Sequence, residues 1–176
     1  MKTENLVIGL LGKVGAGKSH TWSALFGRNV KTGKNLRKLF LNENEYVEVF
    51  LINVAPRVRH KYVGEIITVE KPRIILCSID YSPGVEKTVD YFIKSNYSIY
   101  VHWLNPGYND AYDPQLFYTL GIINHLLQNH AVVGIRNAKG SPDDRVTEIK
   151  NYIYGWAKSQ GLLKNKNAAL PEKDKD

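Results

Sequence analysis

Apolar residues occur along the chain in two alternating patterns. Five runs of strand length are almost continuously apolar, which is typical of strands buried on both faces of a parallel sheet. These runs cover residues 6–11, 46–54, 74–79, 99–104 and 131–135. Between them, apolar residues recur at intervals of three and four, as they do along one face of a helix. The clearest helical stretches cover residues 85–93, 116–127 and 146–156.

This alternation of strands and helices predicts an α/β fold, a three-layer α/β/α sandwich around a mainly parallel five-stranded sheet. In such a sheet, ligands bind at the carboxyl ends of the strands. The length of 176 residues fits one domain, which we expect over residues 1–163. The remaining segment, 164–176, reads KNKNAALPEKDKD and predicts a flexible charged tail.

The most informative segment is residues 12–19, which read GKVGAGKS and match G-x-x-x-x-G-K-[ST] without departure. The segment follows a predicted strand and precedes a predicted helix, as the motif requires. Glycines let the backbone turn closely around an anion, and successive N–H groups then point at its phosphates. Lys18 is expected to reach the β- and γ-phosphates, and the hydroxyl of Ser19 to bind Mg²⁺. The alternative is a glycine-rich turn without a ligand.

In this motif and its setting, the chain resembles the P-loop NTPase superfamily. The resemblance implies the P-loop NTPase fold, a bound nucleoside triphosphate such as ATP, and Mg²⁺. It places the following residues at the nucleotide: Gly12, Lys13, Val14, Gly15, Ala16, Gly17, Lys18, Ser19 and His20.

An acidic residue, Asp80, ends the apolar run RIILCSID. Proteins of this superfamily carry such a carboxylate at the end of a strand, where it holds the metal or accepts a proton from the acceptor hydroxyl. We therefore expect Asp80 and Ser19 to be the metal ligands, with Lys18 and Asp80 among the catalytic residues. The alternative is that Asp80 caps the following helix.

The guanine-binding subclass is not indicated, because the chain has no DxxG after Asp80 and no NKxD after the fifth strand. The chain instead resembles small nucleoside and nucleotide kinases of the adenylate kinase type. The segment 32–37, TGKNLR, is similar to their TGDxLR segment, although Lys34 replaces the aspartate. This similarity implies that Arg37 grips the phosphate of the acceptor. A solvated basic helix start is the alternative.

Two further segments resemble those kinases. Arg57 and Arg59 follow the second strand, where such enzymes place acceptor-binding residues. The segment 135–141, IRNAKGS, is similar to the loop that packs on adenine, which implies contacts from Asn137 and Gly140. The resemblance also implies the strand order 2-3-1-4-5, counted along the chain.

One segment departs from the kinase pattern. Residues 104–112, LNPGYNDAY, occupy the place of a lid but contain no arginine or lysine. Another cation must then stabilise the transferring phosphate, and the candidates are Arg57, Arg59 and Arg145. In the same loop, Asn105 and Tyr108 are candidate acceptor-binding residues, or else part of a polar turn.

Lysine and arginine number 24 and aspartate and glutamate 17, which gives a net charge of +7. This charge favours anionic partners. Besides the nucleotide and a small phosphate-accepting substrate, a nucleic acid or a protein partner is therefore possible at the basic segments 28–38 and 57–61. The chain has one cysteine and no apolar run of membrane-spanning length, so we expect a cytoplasmic protein without a membrane partner.

These features together predict a Mg-ATP-binding phosphotransferase that acts on a nucleotide, a nucleoside or another small phosphate acceptor. Two alternatives remain: a regulatory NTPase that acts with a protein or nucleic-acid partner, and a nucleotide sensor without turnover.

Overall fold

The computed structural model of the chain describes residues 3–111 and 120–168. The strands are β1 (Asn5–Gly12), β2 (Arg37–Phe40), β3 (Glu45–Ile52), β4 (Ile74–Asp80), β5 (Tyr97–Leu104), β6 (Val132–Arg136) and β7 (Lys164–Asn165). The helices are α1 (Lys18–Phe26), α2 (Val63–Ile66), α3 (Glu86–Lys94), α4 (Ile122–Gln128) and α5 (Asp143–Ser159). The α/β class expected from the sequence is confirmed. Of the helix expected over 116–127, residues 116–119 lie outside the described part.

The sheet is open and mixed, and its order is β2-β3-β4-β1-β5-β6, with β7 also paired to β3. The expectation of a mainly parallel five-stranded sheet was wrong, because β2 and β7 run antiparallel to β3. The five strands that the sequence predicts are mutually parallel in the order β3-β4-β1-β5-β6. Counted along the chain, this is the expected order 2-3-1-4-5.

The two additional strands have a weak apolar signal. In β2, only Leu39 is buried, and the strand returns to β3 through a turn in which the Asn42 side chain accepts the N–H groups of Asn44 and Glu45. Strand β7 pairs Lys164 and Asn165 with the beginning of β3. The sheet thus continues past residue 163, where the sequence predicts the start of a tail. Residues 169–176 of that segment lie outside the described part.

Helices pack on both faces of the sheet, because side chains alternate along each strand. Alternate residues of β1 point to opposite faces: Leu6, Ile8 and Leu10 to one, Val7 and Leu11 to the other. The first face packs against α1 and α5 through Trp22, Leu25, Ile149, Ile153 and Ala157. The second packs against α2, α3 and α4 through Val63, Val89, Phe92, Ile122 and Leu126.

Cys77 lies at the centre of β4, with Gly9 of β1 on one side and Ile52 of β3 on the other. Its side chain is fully buried, and burial raises the pKa of the thiol. Cys77 therefore packs as a small apolar residue of the core. Among the residues that the structure describes, no helix is long and apolar enough to span a membrane.

Candidate functional site

The segment 12–19 forms the connection between β1 and α1. Gly12 ends β1, and Lys18 begins α1. Gly15 has a φ of 80° and Gly17 a φ of 96°, a left-handed conformation that residues with a Cβ atom rarely adopt. These two glycines allow five residues to link the strand to the helix in a tight loop. Because Lys18 and Ser19 lie in the first turn of α1, their N–H groups have no partner within the helix.

The Lys18 side chain folds back over this loop. Its Nζ donates to the carbonyl oxygens of Gly12 at 2.5 Å and Lys13 at 2.7 Å. Only 9% of the residue is exposed, and this burial lowers the pKa of the ammonium group to about 8, although the charge of Asp80 acts in the opposite direction. A buried, largely protonated amine is thus held at the centre of the loop.

Asp80 lies beside the loop because β4 is the direct neighbour of β1. In the parallel register, Asp80 is opposite Gly12, and the next residue, Tyr81, donates its N–H to the Gly12 carbonyl at 3.0 Å. The sheet therefore brings the carboxylate that ends β4 next to the lysine that begins α1.

A second segment, residues 106–109, crosses over the loop. Tyr108 donates its N–H to the Ala16 carbonyl at 3.1 Å, and Asn109 to that of Gly15 at 3.3 Å. The two segments are in close contact, since a Cβ atom on Gly107 would lie 2.9 Å from the Cα of Ala16. The loop that follows β5 is therefore part of the site through its backbone.

The loop after β6 forms the third side. Ala138 donates its N–H to the Pro106 carbonyl at 2.9 Å. The sequence predicts base contacts from Asn137 and Gly140 in this loop, and the structure brings the loop next to Gly17, where a Cβ atom would lie 3.7 Å from Ala138. No atom lies within 4 Å of a Cβ built on Gly140, so the backbone there is accessible.

Arg145 holds this third loop against α1. Its guanidinium donates to the Asn137 carbonyl at 2.8 Å and to the Thr21 hydroxyl at 3.2 Å, and the side chain is buried. The sequence offers Arg145 as a cation for a transferring phosphate. The structure instead uses its charged group to join α1 and the loop after β6.

A cavity of about 380 Å³ opens above the segment 12–19. Its described lining consists of Val14, Gly15, Ala16, Gly17, Lys18, Ser19, His20, Asn53, Val54, Ala55, Val58, Tyr108 and Asn109. The residues at 14–20 and Tyr108 were expected from the sequence. Asn109 and the four residues between 53 and 58 were missed, although they follow the carboxyl ends of β5 and β3, where ligands bind in parallel sheets.

The predicted residues outside this lining are Gly12, Lys13, Arg37, Arg57, Arg59, Asp80, Asn105, Asn137, Gly140 and Arg145. Arg37 lies on the edge strand β2, where it donates to the Lys31 carbonyl at 2.9 Å. Arg57 donates to the Ser82 hydroxyl at 3.3 Å, and Arg59 is exposed. Asn105 is buried, and its N–H donates to the Arg136 carbonyl at 2.9 Å.

Comparisons of the chain with protein-family models, with curated proteins and with solved structures give no match. The chemistry of the site is therefore read from its own residues. Within residues 3–111 and 120–168, no group of three or more histidine, cysteine, aspartate or glutamate side chains is placed to hold a metal ion. The site combines a glycine loop, one buried ammonium group and, at the end of the neighbouring strand, one carboxylate.

Proposed function

We propose that the chain binds a nucleoside triphosphate with Mg²⁺ at residues 12–19 and transfers its terminal phosphoryl group to a small acceptor. One observation carries the proposal: the buried Lys18 ammonium donates to the Gly12 and Lys13 carbonyls, on a glycine loop between a parallel strand and a helix. These carbonyl oxygens satisfy N–H donors of the ammonium group but leave its positive charge in place. A bound triphosphate offers anionic oxygens to the same group, a stronger type of hydrogen bond.

The residues present fit Mg²⁺. Ser19 supplies a hydroxyl and Asp80 a carboxylate, and hard oxygen ligands of this kind bind Mg²⁺ together with substrate phosphates. A site of this type needs one or two protein ligands only, since phosphates and waters complete the octahedron. The metal would neutralise charge on the phosphates, and Lys18 would donate hydrogen bonds to the phosphate oxygens.

The strand order supports the kinase resemblance within this proposal. Strand β4, which ends in Asp80, is the direct neighbour of β1, which leads into the loop. The order 2-3-1-4-5 is the one that the resemblance to small kinases implies. Fold analogy alone does not establish a reaction, so the acceptor has to be found by experiment.

A second candidate, a regulatory NTPase that acts with a partner, is favoured by one observation. Lys18 is the only lysine or arginine in the described lining of the cavity. Phosphoryl transfer is accelerated strongly by a further cation, which some NTPases receive from a partner protein. An arginine supplied by a partner would complete the cavity in this case.

The first experiment measures binding of ATP, GTP and dTTP to the wild type, to Lys18→Met and to Lys94→Met, with and without Mg²⁺. Lys94 is an exposed lysine at the end of α3, outside the site, so its variant controls for loss of charge. We expect Mg-ATP to raise the melting temperature of the wild type and of Lys94→Met, but not of Lys18→Met. If no triphosphate shifts the wild type, the proposal is wrong.

The two candidates then differ in what stimulates ADP formation. A phosphotransferase forms ADP in proportion to an added acceptor, whereas a partner-dependent NTPase hydrolyses ATP when a protein or nucleic acid is added. Binding without either activity would contradict both and would indicate a sensor.

A further inference from the structure

A second cavity, of about 250 Å³, lies between residues 57–63 and the beginning of α3. We call it the basic cavity, and it is lined by Arg57, His60, Lys61, Tyr62, Val63, Gly84, Lys87 and Thr88. Three of these side chains are arginine or lysine and a fourth is a histidine, whereas none is acidic. The basic cavity therefore concentrates positive charge in a small concave space.

The basic side chains of this cavity have no acidic partner among the residues that the structure describes. Within the part of the chain that the structure describes, none of its four basic side chains forms an ion pair with a carboxylate. The carboxylate of Glu65 lies close to the cavity, where it accepts the N–H of Tyr62 at 2.8 Å, but Glu65 is not one of the lining residues. Like charges brought together without a counter-charge repel one another, and a bound anion removes this repulsion.

One of the cations is held in place. The guanidinium of Arg57 donates to Ser82 at 3.3 Å and lies against Gly84, where a Cβ atom would be 2.6 Å from its Nη1. Gly84 has a φ of 90°, which a residue with a side chain rarely adopts. A glycine at this position thus allows the guanidinium to approach the backbone closely. A planar guanidinium is well suited to two parallel hydrogen bonds to a phosphate.

The basic cavity shares a wall with the cavity above residues 12–19. Val54, Ala55 and Val58 line that first cavity, whereas Arg57 and His60, from the same segment, line the basic cavity. Ser82, the hydrogen-bond partner of Arg57, follows Asp80 by two residues. Both cavities therefore lie at the carboxyl edge of the sheet, on either side of one segment.

We propose that the basic cavity is a second anion site, which binds the phosphate group of a small phosphate ester. Arg57, Lys61 and Lys87 would neutralise the phosphate, and the half-exposed ring of Tyr62 would contact the organic part. The small volume selects a metabolite rather than a nucleic acid, because a polymer needs an open groove. The proposal stands on the charges and shape of this cavity and does not require that residues 12–19 bind a nucleotide.

The test uses pyrophosphate without Mg²⁺ as the probe, and calorimetry at constant ionic strength as the measurement. It compares three variants of the full chain: Lys18→Met, the double variant Lys61→Gln with Lys87→Gln, and Lys94→Gln. The lysines of the last two variants are all exposed, so the folded structure should tolerate their replacement. Lys94 lies at the other end of α3, and its variant controls for the loss of one surface charge outside the basic cavity.

We expect Lys18→Met to bind pyrophosphate in the basic cavity. We expect the double variant to bind it only at the site that contains Lys18. Combining Lys18→Met with the double variant should weaken binding at least about tenfold relative to Lys18→Met alone, while adding Lys94→Gln should change it less than about twofold. Loss of all binding in Lys18→Met, or equal effects of the double variant and Lys94→Gln, would overturn the second site. Failure of Mg-ATP to bind would contradict the proposed function and leave this comparison intact.

Discussion

Trp22 donates its indole N–H to the hydroxyl of Ser78 over 2.9 Å, and both side chains are fully buried. The bond joins α1, whose first residue is Lys18, to β4, whose last residue is Asp80. The lysine and the carboxylate of the candidate site are therefore connected through the core as well as through the sheet.

Replacement of Ser78 by alanine should destabilise the protein by about 1–2 kcal/mol, because the Trp22 indole N–H then has no acceptor in an apolar environment. Urea unfolding measures this free energy. As a control, Ser23→Ala changes a half-buried serine of α1, the helix that carries Trp22, and should alter stability by less than about 0.5 kcal/mol. Equal effects of the two substitutions would show that the buried hydrogen bond does not stabilise the fold.

The buried ammonium of Lys18 should make stability depend on alkaline pH. Burial lowers its pKa from 10.5 to about 8, so the unfolded chain binds a proton in this interval that the folded chain does not. The contribution of Lys18 to the free energy of unfolding therefore rises as pH increases from about 8 to 10.5, by roughly 3 kcal/mol for a shift of this size, while the buried Cys77 thiol, whose pKa is raised, contributes in the opposite direction. Below pH 8, this amount is the cost of keeping the charged amine buried.

Denaturant unfolding across this pH interval measures the effect. In Lys18→Met, the rise attributed to Lys18 should disappear, while Lys94→Met, which removes an exposed lysine, should keep it. A wild-type curve that follows that of Lys18→Met would mean that the lysine is solvated in the folded protein.

The close contact between Gly107 and Ala16 predicts a difference between two glycine substitutions. Gly107→Ala would place a Cβ atom 2.9 Å from Ala16, so that the crossing segment must move away from residues 12–19. We expect a destabilisation of about 1–3 kcal/mol and weaker binding of Mg-ATP. Gly140→Ala meets no atom within 4 Å and should change stability by less than about 0.5 kcal/mol. Thermal unfolding of both variants, with and without Mg-ATP, decides the point, and equal tolerance would argue against a tight contact.

A buried histidine should make the protein sensitive to acid. His102 is fully buried, and burial, reinforced by the charge of Arg136, lowers its pKa from 6.5 to about 4 despite the nearby Glu148. As pH falls from 6.5 to 4, the unfolded chain therefore binds a proton at this histidine and the folded chain does not. Over this pH range, His102 should lower the free energy of unfolding by roughly 3 kcal/mol.

His102→Gln removes the titrating group, so its stability should fall less steeply over the same interval. His20→Gln, which replaces an exposed histidine, should retain the wild-type slope. Parallel slopes for the wild type and His102→Gln would assign the acid sensitivity to carboxylates elsewhere in the chain.

The parallel part of the fold could be predicted from the sequence because its strands are buried on both faces and are apolar throughout. Strand β2 could not, since an edge strand with one buried residue, Leu39, has no such pattern. The pairing of β7 was equally inaccessible, because two polar residues carry no periodicity. The two antiparallel strands beside β3 are therefore determined by tertiary structure, namely by a turn at Asn42 and by the path of the chain after α5.

For the candidate site, a local motif located residues 12–19, because the required glycines and the lysine are adjacent in sequence. The remaining contacts join distant segments through backbone groups, as between Tyr108 and Ala16, and any residue type can supply these. The role of Arg145 also depends on such contacts, because its partners lie on α1 and in the loop after β6. Acceptor contacts for Arg37 and Arg57 stay predictions from local similarity.

Because of its position, Cys77 can report on transient opening of the sheet. It is the only cysteine, and it lies fully buried at the centre of the sheet, so a thiol reagent reaches it only when β4 separates from its neighbours. The rate at which Cys77 is labelled therefore measures how often the sheet of the native protein opens around β4, without an engineered probe. A ligand bound in either cavity would lower the labelling rate of Cys77 by the same factor by which it stabilises the closed sheet.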